Sequence, residues 1–210
     1  MKTPAAAVIL LLASGGDVSA HRLDEYLQAT RVSIARGRLA IEMDLTPGVS
    51  IASSVIGLVD TNADGSIVPA EAEAYGRTVL SDLLMTLDGG RVGMTLVRVE
   101  IPTIDEMRNG MGTIRLHAAG SVEAGAGRHQ LRLSNHHRPD TSVYMVNALV
   151  PDNKEVSLGS SSRDPRQREF RTEYTVTPRW VGQLLWVGIG TALLAVVGRR
   201  SNEKRKAKKE

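Results

Sequence analysis

Five oxygen-bearing residues stand at fixed intervals in one short stretch of this chain: Asp60, Asn62, Asp64, Ser66 and Glu71, within Asp-Thr-Asn-Ala-Asp-Gly-Ser-Ile-Val-Pro-Ala-Glu. Carboxylate and carboxamide oxygens are hard donors, and a hard divalent cation such as calcium takes about six to eight of them. Side chains at alternate positions of a tight loop can face one ion together. Gly65 supplies the positive φ that so sharp a turn requires.

The flanking residues set the elements that must hold this loop. Ile51, Val55, Ile56 and Val59 before it, and Tyr75, Val79, Leu80, Leu83 and Leu84 after it, recur at helical spacing. Pro69 stands where the first turn of a helix needs no N–H. The spacing predicts helix, loop, helix over residues 49–86. With Asp60, Asn62, Asp64, Gly65 and Glu71 in the D-x-[DN]-x-[DN]-G-x5-E pattern, this stretch resembles the EF-hand calcium-binding family. The resemblance implies Ca2+ as the ion, side-chain ligands from Asp60, Asn62 and Asp64, the backbone carbonyl of Ser66 as a fourth ligand, and Glu71 closing the cage bidentately. Loops of this family work in pairs, whereas this chain has one. Ile67, eighth in the loop, must then pair elsewhere in the chain or with a second copy, as a dimer. Three carboxylates, and Val68 at the ninth position, set the affinity on the order of 10⁻⁴ to 10⁻³ M. Such a value suits a stabilising ion better than a fast intracellular sensor. The alternative is a loop that keeps the helix-loop-helix shape and binds no metal.

Residues 1–20 read as a secretory signal peptide, with Lys2 ahead of the apolar run Ala5 to Ala13 and small residues Val18-Ser19-Ala20 for cleavage before His21. Residues 180–197 carry no charge and are long enough for one C-terminal transmembrane helix, with Trp180 and Trp186 suited to the headgroup region. Arg199, Arg200, Lys204, Arg205, Lys206, Lys208 and Lys209 follow at once, so residues 198–210 form a basic cytoplasmic tail. The expected protein is single-pass in the cell membrane, with residues 21–179 outside the cytoplasm, on the periplasmic side of a bacterial envelope. The absence of cysteine fits an exported domain whose core needs no disulfides. The overall charge of +3 is a property of the tail: residues 21–179 hold 18 Lys or Arg against 20 Asp or Glu, a net of −2. Nucleic acid is therefore not an expected partner, and the tail suits anionic lipid headgroups.

The fold class expected for residues 21–179 is mainly β with a helical insertion, a β-sandwich of seven to nine strands interrupted by the helix-loop-helix. Tyr26 to Ile34 and Arg38 to Leu45 should form a hairpin across Ala35-Arg36-Gly37. Arg91 to Ile101 changes hydrophobic phase midway, which predicts a bulge. Further strands are expected at Thr113 to Ala118, His129 to Asn135, Val143 to Val150 and Arg168 to Val176.

Other chemistry is sparse. As the mature terminus, His21 joins an imidazole to a free amine and can chelate copper, nickel or cobalt, and His136, His137 and Asp140 could join it. An exported β-rich domain with a terminal histidine, an acidic loop and a membrane segment resembles the extracytoplasmic regions attached to some bacterial nickel/cobalt transporter-family proteins, although one helix cannot form a translocation pathway. That likeness supports an accessory role in transition-metal handling as the alternative function. No G-x-S-x-G, H-E-x-x-H or phosphate-binding glycine loop is present, so no enzyme activity is expected. Ser160 to Ser162 read as a polar loop, and Asp105 with Glu106 as a solvated turn. The favoured function is a membrane-anchored calcium-binding module that is structural or docks a protein partner in the envelope.

Overall fold

The computed structural model describes residues 24–152 and 154–178. The expected signal peptide, His21, the expected membrane helix and the basic tail lie outside the described residues. Among those described, no helix is long and apolar enough to cross a membrane.

The architecture is mainly β. Strands β1 (Tyr26–Ala35) and β2 (Arg38–Pro47) form the expected hairpin, paired in unbroken antiparallel register from Tyr26 opposite Pro47 to Ala35 opposite Arg38. Their period-two alternation buries Val32, Ile34, Leu39, Ile41, Met43 and Leu45 on one side. Helices α1 (Val49–Val59) and α2 (Pro69–Ser81) follow, and α1 turns Ala52, Val55, Ile56 and Val59 inward. Then come β3 (Leu83–Leu87), β4 (Gly90–Arg91), β5 (Thr95–Glu100), α3 (Ile104–Arg108), β6 (Ile114–Ser121), β7 (Gly127–Asn135), β8 (Ser142–Ala148), β9 (Val156–Arg163) and β10 (Glu169–Val176).

The strands make two five-stranded sheets, ordered β5-β6-β2-β1-β8 and β4-β3-β7-β10-β9. All pairings are antiparallel except that of β1 with β8. Both sheets feed one hydrophobic cluster, in which Ile41, Met43 and Leu116 of the first join Met85, Leu131, Phe170 and Tyr174 of the second. The α1-loop-α2 segment links β2 of the first sheet to β3 of the second. Helix α2 packs on β5, and Gly76 allows the close approach: a Cβ there would stand 3.0 Å from Leu96 Cδ2.

Several local expectations need correction. Leu83 and Leu84 continue the helical spacing on paper, yet α2 ends at Ser81, and both lie in β3, where Leu83 and Met85 point inward against β7. Ser160, Ser161 and Ser162 belong to the edge strand β9, paired to β10, with Ser161 Oγ 2.8 Å from Thr172 Oγ1. Asp105 and Glu106 form the first turn of α3. Thr103 caps that helix reciprocally: its N–H donates to Glu106 Oε2 at 2.8 Å and its Oγ1 accepts from Glu106 N at 3.2 Å. The described residues hold ten strands, one more than the expected upper count. The predicted bulge is present in β5, where the register against β6 shifts between Leu96 and Arg98 and leaves Val97 64% exposed.

Phe170 is fully buried in the cluster that both sheets feed, and the Arg163 guanidinium lies 5.3 Å from its ring centroid. Phe170→Ala should lower unfolding stability by about 3–5 kcal/mol. Chemical denaturation reads this as a lower midpoint at unchanged slope.

Candidate functional site

The loop between α1 and α2 is ordered by its own polar side chains. Asp60, at the end of α1, accepts hydrogen bonds from Asp64 N (3.2 Å) and Gly65 N (3.0 Å). Asn62 Oδ1 accepts from Asp64 N at 3.0 Å, while its Nδ2 donates to Asp64 Oδ2 at 2.9 Å. Asp64 Oδ1 accepts from Ser66 N at 2.8 Å. Two residues take positive φ, Ala63 at 57° and Gly65 at 81°, so the sharp turn expected of Gly65 is present.

Glu71 closes the loop from the other side, in the first turn of α2. Its Oε1 accepts from Thr61 N (3.0 Å) and Thr61 Oγ1 (3.2 Å), and its Oε2 accepts from Val68 N (3.2 Å). The Val68 amide above all holds this carboxyl below its usual range; burial acts in the opposite direction, and the Thr61 groups reinforce the lowering. Glu71 is therefore an anion at neutral pH.

Asp60 is 6% exposed and Glu71 9%, yet among the described residues neither makes an ion pair. Asp60 accepts two backbone N–H groups and Glu71 two backbone N–H groups and a hydroxyl, so the polar loop satisfies both carboxylates, and a bound cation would add the counter-charge that no described side chain supplies. The hard oxygen set fits calcium in donor type and order along the chain. The groups are not gathered into a finished cage: among the described residues, no three Asp, Glu or His side chains converge as metal ligands. Glu71 instead spends its oxygens on Thr61 and Val68. Ile67 packs against the main hydrophobic cluster of its own chain and lines a concavity with Leu96 and Val99 of β5, so it is accommodated internally.

A second polar centre was not foreseen. His137, read from the sequence as a candidate companion of His21 in a transition-metal site, is 2% exposed. Its Nδ1 lies 2.8 Å from Asp82 Oδ2 and its Nε2 3.2 Å from the Tyr75 hydroxyl, which is 2.7 Å from the Tyr26 hydroxyl. Burial pushes the imidazole below its ordinary value, against the opposing pull of Asp82, so the ring is neutral near pH 7. A carboxylate only accepts, so Nδ1–H donates to Asp82 and Nε2 accepts from Tyr75. Tyr75 in turn accepts from Tyr26. Burial raises both phenols, Tyr75 to about 12.

Around the same residue, the His137 carbonyl accepts from Gln28 Nε2 and Tyr144 OH, each at 2.9 Å. Asn135 donates to Gln28 Oε1 and accepts from His137 N, each at 2.9 Å. Both ring nitrogens of His137 are engaged by protein partners, and His136 stands exposed beside it. Partners as far apart as Gln28 and Ser142, 114 residues, leave no spacing signal in the sequence. His129 behaves in the opposite way. Its Nδ1 lies 2.7 Å from Asp88 Oδ2 and its Nε2 2.9 Å from the Gly125 carbonyl, so both nitrogens face acceptors, and the Asp88 contact raises its pKa despite burial.

These two histidines give stability opposite pH dependence. Neutral His137 contributes fully above the ordinary histidine value of 6.5, and its contribution is lost as pH falls through its lowered folded value. Charged His129 contributes fully below 6.5 and is lost as pH rises through its raised folded value. In urea denaturation across about pH 5 to 8, His137→Gln should flatten the acid limb and cost about 1–3 kcal/mol for its unsatisfied partners. His129→Gln should flatten only the neutral-to-alkaline limb.

Comparison of the chain with protein-family models, with curated proteins and with solved structures returns no match, so the chemistry of the loop carries the functional reading.

Proposed function

We propose that this chain is a calcium-binding, membrane-anchored module of the cell envelope, in which one ion at Asp60, Asn62, Asp64, Ser66 and Glu71 fixes the crossover between the sheets of a β-sandwich. The observation that carries this reading is the pair of nearly buried carboxylates, Asp60 and Glu71, at the two ends of the loop, neither of which makes an ion pair among the described residues. Bound calcium would neutralise both and tie the end of α1 to the start of α2. Asp60, Asn62 and Asp64 would present side-chain oxygens, Ser66 its carbonyl, and Glu71 both carboxylate oxygens after releasing Thr61 and Val68. The role is structural or docking: the ion stiffens α2, which supports β5 and reaches the His137 centre through Tyr75. Membrane anchoring rests on the uncharged stretch 180–197 and the basic tail after it, and export on the signal-like residues 1–20.

Thermal unfolding of the full chain in EDTA, in millimolar magnesium, in millimolar calcium, and with copper or nickel tests the site. A ligand that binds only the folded state adds RT ln(1 + [L]/Kd), about 2.7 kcal/mol at a hundredfold excess over Kd. Calcium should raise Tm, and Asp60→Asn or Glu71→Gln should abolish the rise. No calcium-specific rise would leave the loop a scaffold, and a rise with copper or nickel alone would favour the transition-metal role of His21.

The lack of cysteine permits a clean topology test. In intact cells, Ser160→Cys should react with a membrane-impermeant maleimide, whereas Ser201→Cys should react only after permeabilisation.

A further inference from the structure

The outer face of the second sheet carries a row of three arginines, of which, among the described residues, only Arg171 has an ion-pair partner. Leu83, Met85, Leu131, Leu133 and Phe170 point inward, so the alternate residues of β3, β7 and β10 point out. The register then sets Arg91, Thr86, Arg132, Arg171 and Ser162 side by side across five strands. Arg132 and Arg171 are directly opposed, an arrangement that brings Cβ atoms to about 4.5–5.5 Å and is unfavourable for like charges. Among the described residues, the Arg91 and Arg132 side chains make no hydrogen bond or ion pair. Arg171 has only Glu169, on its own strand, at 3.6 Å. Glu173, in the next row opposite Gln130, is the other acid on the strands beside this row, and Arg128 lies one row further along. A concavity of about 490 Å³ opens here, with Thr86, Gln130, Arg132, Ser134, Glu169 and Arg171 in its lining, so one carboxylate shares it with two guanidiniums.

We propose that this row is an oxyanion site for a phosphate group, borne by a soluble phosphate ester or by a lipid headgroup. Two opposed guanidiniums need about two negative charges in one place, and a phosphate monoester supplies nearly that charge with several acceptor oxygens in fork-matching geometry. A single carboxylate brings one charge to two guanidiniums, and Glu169 is paired with Arg171. Hydroxyls of Thr86 and Ser134 complete the donor set. The site is independent of the calcium loop and uses none of its residues.

The test uses the full chain in detergent, titrated calorimetrically with inorganic phosphate and with phosphoserine at constant ionic strength. In a second arm, phosphatidic acid is doped into phosphatidylcholine micelles. Saturable binding is expected, weakened roughly tenfold or more by Arg132→Gln or Arg171→Gln through loss of a charge-assisted contact. Arg166→Gln, on the turn between β9 and β10, should leave affinity unchanged, and because every variant keeps the basic tail, the difference from the unsubstituted chain excludes tail binding. In phosphate-free buffer, Arg132→Gln should also raise Tm, since it removes the opposed charge. Saturation by the soluble compounds identifies an ester; saturation by phosphatidic acid alone, weakened by Arg132→Gln and Arg171→Gln, identifies a headgroup, whereas phosphatidic acid binding that neither variant weakens belongs to the basic tail and overturns the proposal. The proposal is overturned if neither arm saturates, if binding vanishes once ionic strength is held constant, or if Arg166→Gln weakens it as much as Arg132→Gln.

Discussion

The hydrogen-bonded chain from Tyr26 through Tyr75 and His137 to Asp82 is the interaction on which the rest of the structure depends. It joins β1 of one sheet, the middle of α2, the segment after β7 of the other sheet, and the residue that ends α2. Removing any member leaves buried donors or acceptors without partners, a larger loss than the bond itself contributes. Gln28, Asn135 and Tyr144 extend the same satisfied set around the His137 backbone. A polar centre of this kind permits few alternative packings, because each group has one geometry in which all are satisfied.

That centre also explains why the loop's position matters. Glu71 and Tyr75 are one helical turn apart on α2, so both face the interior from the same helix. The loop carboxylates act on one end of a rigid element whose other end, Asp82, orients His137. The proposed ion at the loop and a proton at the histidine would therefore bear on the same helix, one from each end. The α1-loop-α2 crossover is the covalent bridge between sheets, and the polar centre is its non-covalent counterpart.

How much was legible in the sequence follows from the range of each signal. The β1–β2 hairpin was readable because Leu39, Ile41, Met43 and Leu45 alternate without a break, and the loop because its donors occupy fixed positions around a required glycine. The bulge in β5 was readable as a change of phase. Helix α3 is too short to show a period. Strand β9 sits at an edge, and its Gly159-Ser160-Ser161-Ser162 segment has no apolar alternation to announce it. Leu83 and Leu84 extend the helical spacing of α2, and only pairing with β7 makes them a strand. His137 was invisible as a buried residue because every side chain that satisfies it comes from distant sequence.

The parallel pairing of β1 with β8 has a consequence for how the chain reaches this structure. Tyr26 to Val32 find their second neighbour only when Ser142 to Ala148 are present, so one edge of the first hairpin stays open through most of synthesis. Closing so long a loop comes with an entropy cost before the contacts return anything, which makes native assembly a late and comparatively slow event. The hairpin can form early by itself, but the sheet around it cannot. A chain built this way remains threadable for an extended interval, and its maturation is governed by the arrival of its C-terminal third.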